Sequence, residues 1–364
     1  MKKLLLAAAV LFFLLVAFIF IYRFDSVPHV REGRKKVGLI LTGDRDTDGW
    51  SASHYQALSA LAEEMDFELQ IREDVSEYDD SSLRTIHEMA ADGAKLIVLA
   101  GLHYGDALGK IADEYPEICF LHASGIRMGK NLQPFFGKMY QARYLTGLVA
   151  GLHTTTGRIG YVAAMEVPEV LRGINAFARG VRTVNPNATV YVKYTGRWDM
   201  PAVEEENARM LLDRRGVDVI TYHQNGIAAA RAADAAGVYS ITYHIANPGV
   251  LSDRCLTGAI WRWEPFYREQ LQNCLYGRMR PGAYWQGLEG GIVDIAPLSR
   301  ATKPGTADFV AAEKARLRDG HWDVFHGPIW DNRGRLVIEQ GASMSDDELI
   351  AKINWYAEGV ETVQ

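Results

Sequence analysis

Residues 36–44, KVGLILTGD, form a short apolar run that ends in a polar, glycine-containing loop. Such a run is typical of a strand buried on both faces of a parallel sheet, because that strand has no solvent-facing side. Apolar residues at helical spacing follow over 50–65, and a strand-like stretch follows at 67–72. This succession of strand, helix and strand predicts a right-handed βαβ unit and therefore a parallel sheet.

The same alternation of strand and helix continues along most of the chain. Strands are predicted at 96–100, 119–122, 159–163, 190–194, 217–222, 238–242 and 291–295, and helices at 81–92, 106–114, 170–184, 202–215, 228–236 and 264–276. The pattern restarts after a segment rich in glycine and threonine at 147–157, so two similar halves follow one another. We therefore expect an α/β fold of two doubly wound parallel-sheet lobes joined by a hinge.

The elements after the second half indicate that the chain crosses between the lobes more than once. Lobe 1 is predicted to contain 36–153 plus 262–286, and lobe 2 to contain 154–261 plus 287–364. Two lobes linked by several crossings form a hinge, and a ligand then binds between them.

The N-terminal segment 1–35 predicts export from the cytoplasm. Lys2 and Lys3 precede an apolar stretch at 4–22, close to the roughly 20 residues that span a membrane. Bulky residues stand where a signal peptidase prefers small ones, so an uncleaved anchor fits better than a cleaved signal peptide. Both alternatives place the lobes in the periplasm or its equivalent, either anchored to the inner membrane or exported by the signal peptide.

Composition and charge fit a globular protein that does not bind nucleic acid. Of the 364 residues 48% are hydrophobic and 23% are charged, which is typical of folded domains. The net charge of −6 gives no basic face for phosphates, so we expect no nucleic-acid partner. We expect the chain to be a monomer.

The three cysteines lie far apart and lack metal-ligand spacing. Cys119 belongs to an apolar run and is interpreted as buried strand core. A disulfide between Cys255 and Cys274 would be allowed in an oxidising compartment, but the sequence leaves that pairing open.

Polar and aromatic residues concentrate in the loops that follow the predicted strands. Ligands of open parallel sheets bind at the carboxyl ends of the strands, which selects 42–50, 101–106, 164–169, 195–199, 223–226 and 243–247. Aromatic faces in these loops suit a flat ring, and neighbouring polar groups suit its edge. The candidate ligand-binding residues are Asp48, Trp50, Tyr104, Trp198, Asp199, Gln224, Asn225 and Tyr243, together with Trp263 near the presumed last crossing. The alternative for each tryptophan is packing, and for Asp199 it is a helix N-cap.

Sequence signatures of enzymes and of metal sites are absent. No GxSxG, GxxxxGK[ST] or HExxH occurs, and no GxGxxG follows the first strand. Alternating aspartates at 44, 46 and 48 do not make a calcium loop, because Tyr55 occupies the twelfth position. We therefore predict no catalytic residue, no metal and no cofactor.

Seven motifs in a fixed order resemble the basic membrane protein family of substrate-binding proteins, which serve ABC importers. They are DGW at 48–50, YPEICF at 115–120, QARYLTGLVAG at 141–151, PEVLRGINAF at 168–177, GRWD at 196–199, FHGPI at 325–329 and NWYAEGV at 354–360. The resemblance runs from about residue 36 to the C-terminus. It implies a type I periplasmic-binding-protein fold, an ABC permease as partner, and a purine nucleoside or a free base such as adenine as ligand.

By position, the resemblance makes Trp50 and Trp198 the stacking residues of the two lobes. Asp48 and Asp199 stand where polar ligand contacts would fall. The sequence departs from the family at Ser51, where asparagine is usual, and at Tyr243-His244, where an acidic residue is usual. It also lacks the lipid-bearing cysteine, which favours a peptide anchor.

Two other functions stay open at this stage. The lobes would also suit a ligand sensor for a membrane partner. A nucleoside-processing enzyme would need a paired acid and base or a metal cluster in the cleft, for which we find no sequence signature.

Overall fold

The computed structural model describes residues 34–246, 249–320 and 322–364, apart from the side chains of residues 106 and 107. Residues 36–364 form one compact unit. The predicted N-terminal anchor lies outside the described residues. None of the described helices combines the length and the hydropathy that a membrane crossing needs.

Strands and helices alternate along the described chain. The strands are β1 (Lys35–Leu41), β2 (Phe67–Arg72), β3 (Ala94–Ala100), β4 (Cys119–Ala123), β5 (Leu132–Gly137), β6 (Arg158–Ala163), β7 (Thr189–Tyr194), β8 (Val219–His223), β9 (Tyr239–His244), β10 (Cys255–Trp261), β11 (Tyr284–Gln286), β12 (Val293–Ile295), β13 (Ile329–Trp330), β14 (Leu336–Ile338) and β15 (Val360–Thr362). The helices are α1 (Gly49–Glu64), α2 (Ser81–Ala91), α3 (Gly105–Glu114), α4 (Met139–His153), α5 (Pro168–Val184), α6 (Pro201–Arg215), α7 (Ala228–Ala235), α8 (Glu264–Leu275), α9 (Thr306–Arg318) and α10 (Asp346–Ala351).

Two sheets dominate the fold of the described residues. The first has the order β11-β5-β4-β3-β1-β2, and the second has the order β12-β10-β9-β8-β6-β7-β15. Strand β1 pairs with β3 in parallel, and β6 pairs in parallel with both β7 and β8. The short β12 runs antiparallel to β10. The predicted α/β class with two doubly wound, mainly parallel sheets is confirmed.

The chain crosses between the sheets several times. It leaves the first sheet after β5, completes β6 to β10 in the second, returns for β11, and ends with β12 and β15 in the second. Helix α8 packs on α1 and β3 of the first sheet, whereas α4 packs on α5 and on β10 of the second. The residue bounds of the two lobes stay a prediction.

Helix α4 was missed because its glycines were interpreted as a join. A Cβ at Gly147 would lie 2.1 Å from the Phe177 carbonyl oxygen, and one at Gly180 would lie 2.1 Å from that of Tyr144. The glycines therefore let α4 and α5 approach closely, and the helix continues to His153. Strands β5, β10, β11, β13, β14 and β15 and helices α9 and α10 were also not predicted.

Cys119 lies buried in strand β4, as interpreted from the sequence, but it is not a free thiol. Cys119 is disulfide-bonded to Cys274, with 6.1 Å between their Cα atoms, and Cys255 is a free, half-buried thiol. Cys274 lies at the end of α8, which packs on the first sheet, close to Cys119 in β4. Cys255 begins β10 in the other sheet, so it does not pair with Cys274.

Candidate ligand-binding site

Loops from the two sheets meet directly at the carboxyl ends of their strands. Gly49 begins helix α1, after the loop that follows β1, and Asn225 lies two residues after β8. The Gly49 N–H donates to the Asn225 carbonyl oxygen at 2.8 Å. Asn225 Nδ2 donates in turn to Asp48 Oδ2 at 2.8 Å. A Cβ at Gly49 would lie 3.0 Å from the Asn225 oxygen and 3.2 Å from His244 Cβ, so glycine permits this approach.

Two adjoining cavities lie at this junction. The inner cavity has a volume of about 40 Å³ and is lined by Thr42, Trp50, Glu77, Gly101, Leu102, Ser124, Glu169, Trp198, Asn225 and His244. The outer cavity has a volume of about 770 Å³, opens to solvent, and shares Thr42, Glu77, Trp198 and Asn225 with the inner one. Asp48, Asp199 and Tyr243 also line the outer cavity. The inner cavity is smaller than an ordinary ligand pocket of roughly 300–1,000 Å³.

Trp50 forms one wall of the inner cavity. Its Nε1 donates to the Ala100 carbonyl oxygen at 3.0 Å, and the side chain is 9% exposed. Its ring stands edge-on to His54 and to Trp261, with centroids 4.3 and 5.8 Å away. Because these contacts fix the indole, Trp50 is a rigid surface at the end of the first sheet.

Asp48 caps a helix and also takes part in the contact between the two sheets. Its carboxylate accepts the Ser51 N–H at 2.8 Å and caps the N-terminus of α1. Burial raises the pKa of Asp48 to about 6, against the lowering effect of the hydrogen bonds from Ser51 and Asn225. The charge of Asp199 raises it further.

Trp198 and Asp199 lie on the loop before α6, in the second sheet's half of the site. Trp198 is half-buried and lines both cavities, and its carbonyl oxygen accepts the Asn225 N–H at 3.0 Å. Asp199 is exposed and faces the outer cavity. The N-cap alternative for Asp199 was wrong, because Met200 is the cap residue and its N–H is bound by the Glu204 carboxylate at 3.2 Å.

Tyr104, Gln224 and Trp263 do not line either cavity. Tyr104 donates to the Val75 carbonyl oxygen, Gln224 Nε2 donates to Thr195 Oγ1, and Trp263 Nε1 donates to Ser53 Oγ. Trp263 is fully buried and stacks on Trp261 with centroids 4.4 Å apart. The structure therefore places these predicted site residues in the packing around the site.

Several residues of the inner cavity were not among the candidates. All of its lining residues except Glu77 and Ser124 lie in the loops that the strand-end rule selects. Glu77 and Ser124 also follow strands, β2 and β4, whose loops were not considered. Burial raises the pKa of Glu169 to about 7, opposed by Arg172 and reinforced by Glu77. The described residues contain no cluster of side chains suited to hold a metal ion.

The family model for PnrA-like ABC transporter substrate-binding proteins (Bmp) matches residues 34–312, about three quarters of the chain. The chain belongs to this family. As a PnrA-like protein it is the binding component of an ABC transport system, with a small molecule as ligand and a permease as partner. The family is one of binding proteins, not of enzymes.

Individual relatives of this PnrA-like protein differ in the ligand for which they are named. A purine-binding protein of Brucella abortus is 31% identical over 93% of this chain and 96% of its own length. A protein of Haloferax volcanii, named for a glucose-binding role in ABC transport, is 33% identical over 86% of this chain and 77% of its own. The solved solute-binding protein of Conexibacter woesei is 24% identical and covers 79% of this chain and 98% of its own, with a TM-score of 0.68. This last likeness confirms the type I periplasmic-binding fold.

Proposed function

We propose that this PnrA-like protein captures a purine base or nucleoside outside the cytoplasmic membrane and delivers it to an ABC permease. The observation that carries the proposal is the inner cavity, which has one tryptophan from each sheet in its wall: Trp50 and Trp198. Two indoles that reach the same cavity from different sheets suit a flat aromatic ring. Base–aromatic stacking contributes about 1–3 kcal/mol per ring.

Polar groups around the inner cavity suit the edge of such a ring. Glu169 has a pKa near neutrality, so its carboxyl group can present either an acceptor or a donor. The Asn225 side chain is held by Asp48, and Asn225 lines both cavities. Purines carry ring nitrogens and exocyclic groups that match donors and acceptors placed in this way.

Ligand entry in this proposal requires the two sheets to separate. A cavity of about 40 Å³ is too small for a purine, and the hydrogen bonds of Asn225 with Asp48 and Gly49 join its two sides. Opening at the crossings between the sheets would break these bonds, and closure would re-form them over the ligand. The N-terminal residues 1–35 would keep the protein at the membrane beside its permease.

The relative named for glucose makes a sugar the second candidate ligand. Indole faces also accept the apolar face of a sugar ring, so Trp50 and Trp198 alone do not separate the two ligand classes. Calorimetric titration with adenine, adenosine, guanosine and glucose does separate them. We expect binding of at least one purine compound and none of glucose; the reverse would contradict the proposal.

The variant Trp198→Ala tests whether Trp198 stacks on the ligand. Loss of the indole should weaken purine binding by about 1–3 kcal/mol, because the purine ring loses one stacked face. Trp330→Ala is the matched control, since Trp330 is 43% exposed on the hairpin of β13 and β14, which contributes no residue to either cavity. Equal affinity of the Trp198 variant and the wild type would remove this residue from the site.

A further inference from the structure

His244 lies at the carboxyl end of β9 with its ring at the inner cavity. Its backbone has φ of 73°, and the side chain is 3% exposed. The ring contacts Tyr243 at 3.7 Å and stands edge-on to Trp50 at 5.9 Å between centroids. These contacts on both sides hold the imidazole in one orientation.

Hydrogen bonding determines which ring nitrogen carries the proton. Trp261 Nε1 donates to His244 Nδ1 at 3.2 Å. An indole N–H can only donate, so Nδ1 must be the unprotonated acceptor. A neutral imidazole then carries its single proton on Nε2.

The surroundings keep the ring neutral. Burial lowers the pKa of His244 well below its usual value, and the nearby charge of Arg143 lowers it further, against a smaller raising effect of the Gln224 backbone. The Arg143 guanidinium lies only 3.7 Å from the centroid of the neighbouring Tyr243 ring. A second proton, on Nδ1, would also point at the indole N–H of Trp261, and the two hydrogens would repel each other.

The Nε2–H group is left for a ligand. Nε2 is buried and makes no hydrogen bond of normal length and angle to a described residue, the nearby Gln224 backbone included, while the side chain lines the inner cavity. A buried donor without a partner is costly, and such groups are normally bonded. Resting on the proposed function, we propose that His244 Nε2 donates a hydrogen bond to an unprotonated ring nitrogen of the bound purine, and thereby selects ligands that present an acceptor at that point.

The protonated Nε2 makes His244 a hydrogen-bond donor toward the inner cavity. A donor at this position favours a ring nitrogen or a carbonyl oxygen. It disfavours a ligand that presents an N–H or C–H group at this point, because Nε2–H would then stay unpaired.

The test uses adenine and the three deaza analogues in which one acceptor nitrogen is replaced by C–H. Calorimetric titration of the full chain should show that one of these analogues binds roughly tenfold to a hundredfold more weakly than adenine. In His244→Asn that preference should disappear, because the shorter amide lacks the atom at the Nε2 position. Asparagine is a suitable replacement, since it tolerates positive φ and can still accept from Trp261.

Two further variants make the outcomes separable. His244→Gln places an amide donor near the original Nε2 and should restore part of the preference. His153→Asn removes another buried histidine, whose Nδ1 lies 2.7 Å from the Val149 carbonyl oxygen in α4, and should leave the preference unchanged. Equal binding of adenine and all three analogues by the wild type, or an unchanged preference in a folded His244→Asn protein, would overturn the role of His244 alone. Failure of the wild type to bind any purine would instead overturn the proposed function.

Discussion

At the scale of single residues, two carboxyl groups that line the cavities, Asp48 and Glu169, and one beside them, Glu204, have pKa values that burial raises. Glu169 and Glu204 reach about 7, and Asp48 reaches about 6. Burial is the largest cause for each, and the charge of Asp199 adds to the shifts of Asp48 and Glu204. Such groups favour the protonated form in the folded state, so they stabilise the protein most at low pH. Perturbed carboxyl groups of this kind often mark functional sites.

The pH dependence of stability should therefore change in Glu169→Gln. The ordinary pKa is 4.5 and the folded value is about 7, so the stabilising contribution is complete below 4.5 and is lost as pH rises to 7. The glutamine side chain is uncharged at every pH. The free energy of unfolding of the variant should therefore rise by about 2–3 kcal/mol relative to that of the wild type as pH increases between these limits. Urea unfolding at a series of pH values measures the difference. Glu206→Gln, exposed on α6, is the control; the same pH profile for Glu169→Gln and the wild type would contradict the prediction.

At the scale of elements, the apolar runs predicted most strands because a buried strand must be apolar on both faces. Strand β1 and helix α1 lie within a residue or two of their predicted bounds. The sequence did not reveal α4, since glycine disfavours a helix unless a neighbouring helix requires the space. That requirement comes from α5, a tertiary partner that local patterns do not show. The pairing of Cys119 with Cys274 depends on the packing of α8 in the same way.

The close approach of α4 and α5 makes a prediction about glycine. Gly147→Ala should destabilise the protein by about 2–4 kcal/mol, because the added Cβ overlaps the Phe177 carbonyl oxygen. Gly109→Ala in α3 meets only Arg127 Cδ, at 4.0 Å, and should stabilise by up to about 1 kcal/mol through helix propensity. Denaturant unfolding of the two variants should give shifts of opposite sign. An unchanged free energy of unfolding for Gly147→Ala would contradict the prediction, because it would show that α4 and α5 can move apart without loss of stability.

At the scale of the whole molecule, the alternation of strands and helices predicted two sheets with a site between them. The strand-end rule then selected the loops that supply most of the inner cavity, including Trp50 and Trp198. It could not distinguish wall residues from packing residues, as Tyr104 and Trp263 illustrate. Glu77 lies five residues beyond the end of β2, and only the folded path of that loop brings it to the cavity. The Asn225 contact between the sheets likewise depends on how their loops meet in the folded chain, which no local pattern encodes.

The most direct test of purine capture is a crystal structure of the chain grown with adenine. We predict that the adenine ring lies between the indoles of Trp50 and Trp198, in an inner cavity enlarged to hold it, with Asn225 still bridging to Asp48. Adenine bound elsewhere, or a structure without adenine at saturating concentration, would contradict the account.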